Sequence, residues 1–266
     1  MLNHPKTMIE SHQNGLTFFQ FPHLAACAGL RHAVFTRKGG FSDGLYQSLN
    51  VGLNVGDKTE VVNKNRRLVG DCLGFDKTIF VRQVHGADLL LFSNADVVRG
   101  GFLEGLAAST ADALVTDATG VLLAIQTADC QAVLLYDPVL QVMANVHAGW
   151  RGSVANIIGQ TVAAMKADFK CRPADILAAV GPSLGPCCAE FVNYRDELPP
   201  FVWDYQIADN HFDFWALSKD QLKTAGVKGD NIHIGGLCTK CRQDLFFSYR
   251  GAKSTGRFAA VVGMFP

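Results

Sequence analysis

Two histidines and a cysteine stand where apolar runs of this sequence break off: His85 in VRQVHG, Cys130 in TADCQA and His147 in NVHAGW. On a strand's two-residue period, Val81, Gln83 and His85 share one face, as do Met143, Asn145 and His147. The segment Thr127–Ala128–Asp129–Cys130 puts a thiol at a comparable strand edge. If the three meet, two neutral imidazoles and one thiolate suit Zn²⁺ in a tetrahedron whose fourth position stays open, as catalytic zinc is held. Such an ion lowers the pKa of a bound water to about 7 or polarises a substrate oxygen. Asp129, Gln83 and Asn145 are placed to steady the ligands or touch substrate. Taken singly, a strand-end histidine is more often a satisfied core or rim residue, and a lone cysteine a small hydrophobe. Separation in sequence does not establish contact, so both descriptions stand at this level.

After His147 comes AGWRGS. A helix beginning at Ser153 would place its free N–H groups and Arg151 beside the proposed metal as an anion site, with Trp150 free to stack on a flat ring. A capped helix with an exposed arginine and a packed tryptophan fits the same residues. FTRKGGFSDG at 35–44 is a second basic turn, built on Arg37, Lys38 and paired glycines. Cys238 and Cys241 form a CxxC, and Cys187 and Cys188 are adjacent. The four suit a structural zinc or a redox pair, but without a second CxxC reduced, partly buried thiols are the expectation.

The elements that must position these groups read as short buried strands at 78–84, 120–126, 132–137, 141–146, 176–180 and 257–263. YDPVLQ is a turn that joins antiparallel neighbours. A helix is predicted from Ser153 as N-cap to about Lys170, with Val154, Ile157, Ile158, Val162, Met165 and Phe169 at helical spacing. Others are predicted from Glu60 to Leu73 and from near Ser218. The pattern implies mixed sheets covered by a few helices, an α/β (α+β) arrangement and not an alternating βαβ array. No repeat or linker divides the 266 residues, so a single domain over 1–266 is expected, loose over residues 1–15.

Composition narrows the function. Twenty-four basic residues balance 24 acidic ones, which disfavours nucleic acid or an anionic membrane and suits a small partner. The chain lacks an apparent leader and any run of about 18 apolar residues, so a cytoplasmic location with no membrane span is expected. Its eight cysteines then read as thiols. Neither a dinucleotide-binding GxGxxG nor a GxxxxGK[ST] is present, nor HExxH, nor the His-x-Glu of zinc deaminases, nor the His-x-His pairs of a multicopper cluster.

VRQVHG, TADCQAVLLYDP, NVHAGWRG, FFSYRGAKSTGRFAAVVG, FTRKGGFSDGLYQSLNVG and NKNRRLVG together resemble the YfiH or laccase-domain family over roughly residues 30–264. Its members are described as polyphenol oxidases, purine nucleoside phosphorylases and peptidoglycan editing factors. The resemblance implies metal ligands at His85, Cys130 and His147, with zinc as the ion and copper as the alternative. Substrate or phosphate contacts are expected at Arg37, Asn50, Gln83, Asp129, Trp150 and Arg151. The implied fold is an αββα sandwich in one domain, similar in architecture to cysteine-hydrolase-like toxins. The implied activity is phosphorolysis of adenosine, inosine or methylthioadenosine, with adenosine deamination beside it, by a monomer or small homo-oligomer. Copper-dependent polyphenol oxidation and editing of peptidoglycan precursors are the alternatives, and a nucleophilic Cys130 activated by His147 is a competing role.

Overall fold

The computed structural model describes residues 7–98 and 109–266. Its strands are β1 (Ile9–Gln13), β2 (Leu16–Gln20), β3 (Leu30–Phe35), β4 (Thr78–Phe80), β5 (Leu89–Phe92), β6 (Ala113–Thr116) and β7 (Val121–Thr127). These are followed by β8 (Gln131–Asp137), β9 (Val142–Ala148), β10 (Leu177–Val180), β11 (Gln206–Ala208), β12 (His211–Phe212), β13 (Ile232–Ile234) and β14 (Phe258–Met264). One six-stranded sheet runs β1-β2-β3-β14-β7-β4 and the other β13-β10-β8-β9-β6-β5, while β11 and β12 pair separately. Both large sheets are mixed: β4–β7, β5–β6 and β10–β13 are parallel, and their other pairings are antiparallel.

Apolar runs without alternation become strands buried on both faces. In β7, Leu123 and Ile125 pack between the sheets with Leu134, Tyr136 and Met143, while Leu122 and Ala124 pack outward with Val69, Cys72 and Leu73 of the helix Thr59–Leu73. The second sheet turns Val133, Leu135, Ala144 and Val146 outward against Ile157, Ile158, Val162 and Met165 of the helix Ile157–Phe169. Helix, sheet, sheet and helix therefore form four layers with a dry seam in the middle. Asn145, on the same face of β9 as Met143, lies in that seam and donates from Nδ2 to Leu123 O (3.1 Å) and Ala260 O (2.8 Å) of the facing sheet. It is fully buried, does not line the cavity described below and ties the sheets together, so the role expected of it beside ligands or substrate is replaced by a structural one.

Three local expectations are corrected. The strand expected over 78–84 ends at Phe80, because Gln83 takes over the pairing: its side chain accepts from Gln126 N and donates to Gln126 O, each at 2.9 Å. The helix expected from Ser153 is two helices, Trp150–Val154 and Ile157–Phe169. They break at Asn156, whose left-handed backbone and Gly159 N–H bond make it the cap, leaving Ser153 buried inside the first. The helix expected near Ser218 begins at Phe214, where Asp213 accepts from Ala216 N at 3.0 Å. Of the segment expected to be loose, residues 1–6 lie outside the described residues and Ile9–Gln13 forms the edge strand β1. Among the described residues, no helix is long and apolar enough to cross a membrane.

Replacing Asn145 with Ala removes both cross-sheet hydrogen bonds and is expected to lower the unfolding free energy by about 1–3 kcal/mol. Urea denaturation measures the change; an unaltered midpoint would show that the amide does not hold the sheets together.

Candidate metal centre

His85, Cys130 and His147 come from three places in the chain, and each is aimed by a different device. His147 is the sixth residue of β9, on the seam side and buried. Cys130 sits in the tight connection from β7 to β8, where Asp129 takes a left-handed φ of 89° and Thr127 Oγ1 donates to Cys130 O. His85 does not finish a strand; it lies in the loop after β4 with a φ of 62°. One ligand atom from each falls within 4.8 Å of the others. Gly149 permits that approach, since a Cβ there would lie 3.0 Å from His85 Cδ2 and 3.2 Å from Cys130 Sγ.

Asp112, just before β6, organises both histidines. Its carboxylate accepts from the backbone N–H groups of His85 (3.0 Å) and Gly86 (2.7 Å) and, at 2.8 Å, from His147 Nδ1. Burial works against its charge, but the bonds from His147 and Gly86 hold its carboxyl below the usual carboxylate range. With Nδ1 committed to Asp112, His147 presents Nε2 to Cys130. Burial would push the Cys130 thiol up, yet the charge of His147 and hydrogen bonds from both histidines hold it at about 6. Burial would likewise lower His147, but Cys130 and Asp112 raise it to about 9. Without a metal the pair is a thiolate and an imidazolium. The donor set fits Zn²⁺: a ready thiolate, an oriented imidazole and a second imidazole open to solvent. It is also within the range of copper, so the residues establish a metal-type cluster and leave the ion to experiment.

The cluster opens into a cavity of about 760 Å³. Of the residues expected to meet substrate, Gln83, Asp129, Trp150 and Arg151 line it and Arg37 and Asn50 do not. Arg37 is drawn off by Gln47 O (2.8 Å), Gln243 O (3.2 Å) and the face of Phe247. Asn50 is buried, and its Oδ1 receives Gly52 N and Arg257 N, so it acts by setting the backbone of Arg257. Asp129 spends its carboxylate on Thr239 Oγ1 (2.6 Å) and the Arg250 N–H, which holds the turn that carries Cys130. Arg151 lies over the Trp150 ring, 4.3 Å from its centroid.

Sequence reasoning missed Asp112 and two cavity arginines, Arg250 and Arg257. Asp112 carries no local signal, being a lone acid before an apolar strand, and only the β6–β9 pairing brings it to His147. Both arginines lie inside the stretch FFSYRGAKSTGRFAAVVG, where the resemblance marked the region without marking the side chains.

Between about pH 7 and 9 the metal-free protein holds Cys130 as thiolate, and His147 keeps a proton that must leave before its nitrogen can bind a metal. Apparent Zn²⁺ affinity is therefore expected to rise about tenfold per pH unit through this window and flatten above it. Chelator competition at several pH values measures this, and an affinity independent of pH would contradict the ion-pair assignment.

Over residues 31–265 the sequence matches the family described as multi-copper polyphenol oxidoreductase laccase. It is 36% identical over 255 residues to a Geobacillus stearothermophilus protein named purine nucleoside phosphorylase YlmD, covering 91% of each chain. Against purine nucleoside phosphorylase YfiH of Escherichia coli strain K12 it is 32% identical over 250 residues, covering 90% of this chain and 93% of that one. The crystal structure of YlmD from Geobacillus stearothermophilus superposes with a TM-score of 0.85 at 33% identity, over 98% of this chain and 100% of that one. These likenesses agree: the chain belongs to the multi-copper polyphenol oxidoreductase laccase family, among relatives that carry the name purine nucleoside phosphorylase.

Proposed function

We propose that this chain acts as a single domain and a zinc-dependent purine nucleoside phosphorylase, with adenosine, inosine and methylthioadenosine as substrates. The observation that carries the reading is the opening of the His85–Cys130–His147 cluster into a cavity with aromatic and cationic walls. The names of the relatives support it.

The cavity offers what a nucleoside and phosphate require. Trp150, Phe191, Phe214 and Tyr249 supply flat apolar surface against which a purine can stack. Arg151, Arg250 and Arg257 supply guanidinium groups of the kind that hold a phosphate oxygen pair. Holding both in one cavity turns a bimolecular attack into a positioned one: a phosphate oxygen bonds to the anomeric carbon as the glycosidic bond breaks, and the base leaves with the bonding pair and takes up a proton. The arginines neutralise the approaching phosphate, so that its charge does not oppose the step. Zn²⁺ held by His85, Cys130 and His147 would supply Lewis-acid polarisation of an oxygen at the cavity floor. Asp112 keeps His147 in the tautomer and orientation this needs.

One observation favours a second role for the same atoms. Cys130, His147 and Asp112 stand in the order nucleophile, base and orienting carboxylate, with the thiolate already formed. Activity that survives removal of the metal and is abolished by alkylation of Cys130 would select that role. The family description raises copper-dependent phenol oxidation as well. Among the described residues the only two candidate clusters are His85–Cys130–His147 and a group of four cysteines, without the histidine-rich sites expected of several coppers. Oxygen uptake with phenols by copper-loaded protein would favour oxidation.

Three outcomes are expected from chromatography of nucleosides incubated with the zinc-loaded protein. Free base appears in step with added phosphate, together with ribose 1-phosphate; inosine formed from adenosine would show the deaminase activity. His147→Ala loses both zinc and turnover, and Asp112→Asn loses about 10–100-fold in metal affinity or activity. Full turnover by metal-free wild-type protein, or base release indifferent to phosphate, would overturn the proposal. Arg151→Ala, whose side chain makes one ring contact, is expected to raise the KM for phosphate roughly tenfold, the loss of one charge-assisted contact. An unchanged KM would remove Arg151 from the phosphate site.

A further inference from the structure

Four of the eight cysteines gather away from the centre described above. Cys187 and Cys188 lie in the turn after β10, and Cys238 and Cys241 in the irregular segment between β13 and β14. Their sulfurs all lie within 4.8 Å of one another. Cys241 Sγ stands 3.7 Å from Cys187 Sγ and 3.6 Å from Cys188 Sγ. Zinc–thiolate bonds of about 2.3 Å at tetrahedral angles set sulfurs about 3.8 Å apart, so these separations are those of the edges of a tetrathiolate site.

The backbone around the four is arranged for such a site. Ser183 N donates to Leu237 O and Thr239 N to Ser183 O, which lays the two segments side by side. The turn of each segment is closed, by Cys188 N on Gly185 O and by Arg242 N on Cys238 O. Gly185 lets the segments close, since a Cβ at that position would lie 3.0 Å from Cys238 Cβ and 2.9 Å from Trp215 Cη2. Cys238 is buried, Cys188 is half-buried, and Cys187 and Cys241 are exposed, so an ion can enter from solvent. Four soft donors in a tetrahedron with no vacant position select Zn²⁺ and leave no room for substrate.

We propose that Cys187, Cys188, Cys238 and Cys241 bind a second, structural Zn²⁺ that staples the cavity wall to the segment between β13 and β14. Each thiol gives up its proton to solvent as its sulfur–zinc bond forms, and no electron changes hands. The staple matters because both segments reach the centre. Leu184, Glu190 and Phe191 line the cavity, Leu184 N donates to Asp129 O, and Thr239 Oγ1 donates to Asp129 Oδ1, next to Cys130. Between β13 and β14 the chain forms no helix and no strand of its own, so a cross-link there replaces the ladder that regular structure would provide.

The test is metal counting on protein purified under reducing conditions. The double variant His85→Ala, His147→Ala disables the other centre and is expected to retain one zinc per chain. Exchanged for Co²⁺, it should show the intense sulfur-to-cobalt charge-transfer absorption of a tetrathiolate site. The complementary variant Cys187→Ser, Cys241→Ser should lose one zinc equivalent relative to wild type and unfold at a lower temperature. If either variant fails to fold, wild-type protein exchanged for Co²⁺ decides, with the tetrathiolate absorption expected. Wild-type protein without that absorption, a histidine variant without zinc, or a cysteine variant that keeps as many zinc equivalents as wild type would overturn the second site. None of these readouts depends on the reaction catalysed, so the failure of this site and of the phosphorylase proposal are separable.

Discussion

The centre depends on one buried carboxylate. Asp112 takes N–H groups from the loop that carries His85 and the ring N–H of His147, while its own backbone oxygen accepts from His147 N at 2.7 Å. A charged group this deep is costly unless nearly every lone pair is used, and here the requirement becomes a positioning device. The left-handed backbone at His85, unfavourable for a residue with a side chain, is held by this same set of bonds. Removal of the carboxylate would free the loop and the ring together.

The rest of the fold brings the three ligand-bearing segments to the reach of that carboxylate. Neighbouring strands β7 and β8 lie in different sheets, so the connection that carries Cys130 has to cross the seam. A crossing of so few residues needs a sharp turn, and Asp129 supplies it with a left-handed conformation pinned by Thr239 and Arg250. β9, paired with β8 along its whole length, then delivers His147 to the same end of the seam. The cysteine and this histidine are thus neighbours because two sheets pack face to face and one short connection joins them.

Much of this was legible in the sequence, and the divisions are physical. Strands buried on both faces announced themselves as unbroken apolar runs, and five of the six expected ones lie within a residue or two of the observed spans. The exception ends early because a glutamine side chain imitates backbone pairing, which no periodicity reveals. Likewise Asn156 could be taken for one more residue of a continuous helix, since its capping role depends on a left-handed conformation. His85, Cys130 and His147 were legible as candidate ligand types but not as neighbours, because proximity is a property of sheet packing. Arg37 stood out by the basic, glycine-bearing turn that carries it, and Asn50 follows in the same polar stretch. They prove to brace surrounding chain, a role that such a pattern does not distinguish from contact with substrate.

Two cysteine-bearing clusters in one chain, each with donors of the kind that hold zinc, pose a problem of selectivity. Their environments divide the work. Cys130 is the only sulfur of its cluster, and its charge is already balanced by a protonated His147, so an entering ion must displace a proton from a stable pair. That exchange keeps the centre responsive to pH and leaves a coordination position free. Four sulfurs closing on one ion fill its coordination sphere, hold it firmly and expose no position to substrate. The difference lies in the number of sulfurs and in the coordination position left open. By that physical rule the cluster facing the cavity is suited to chemistry, and the one between irregular segments to holding the cavity's wall.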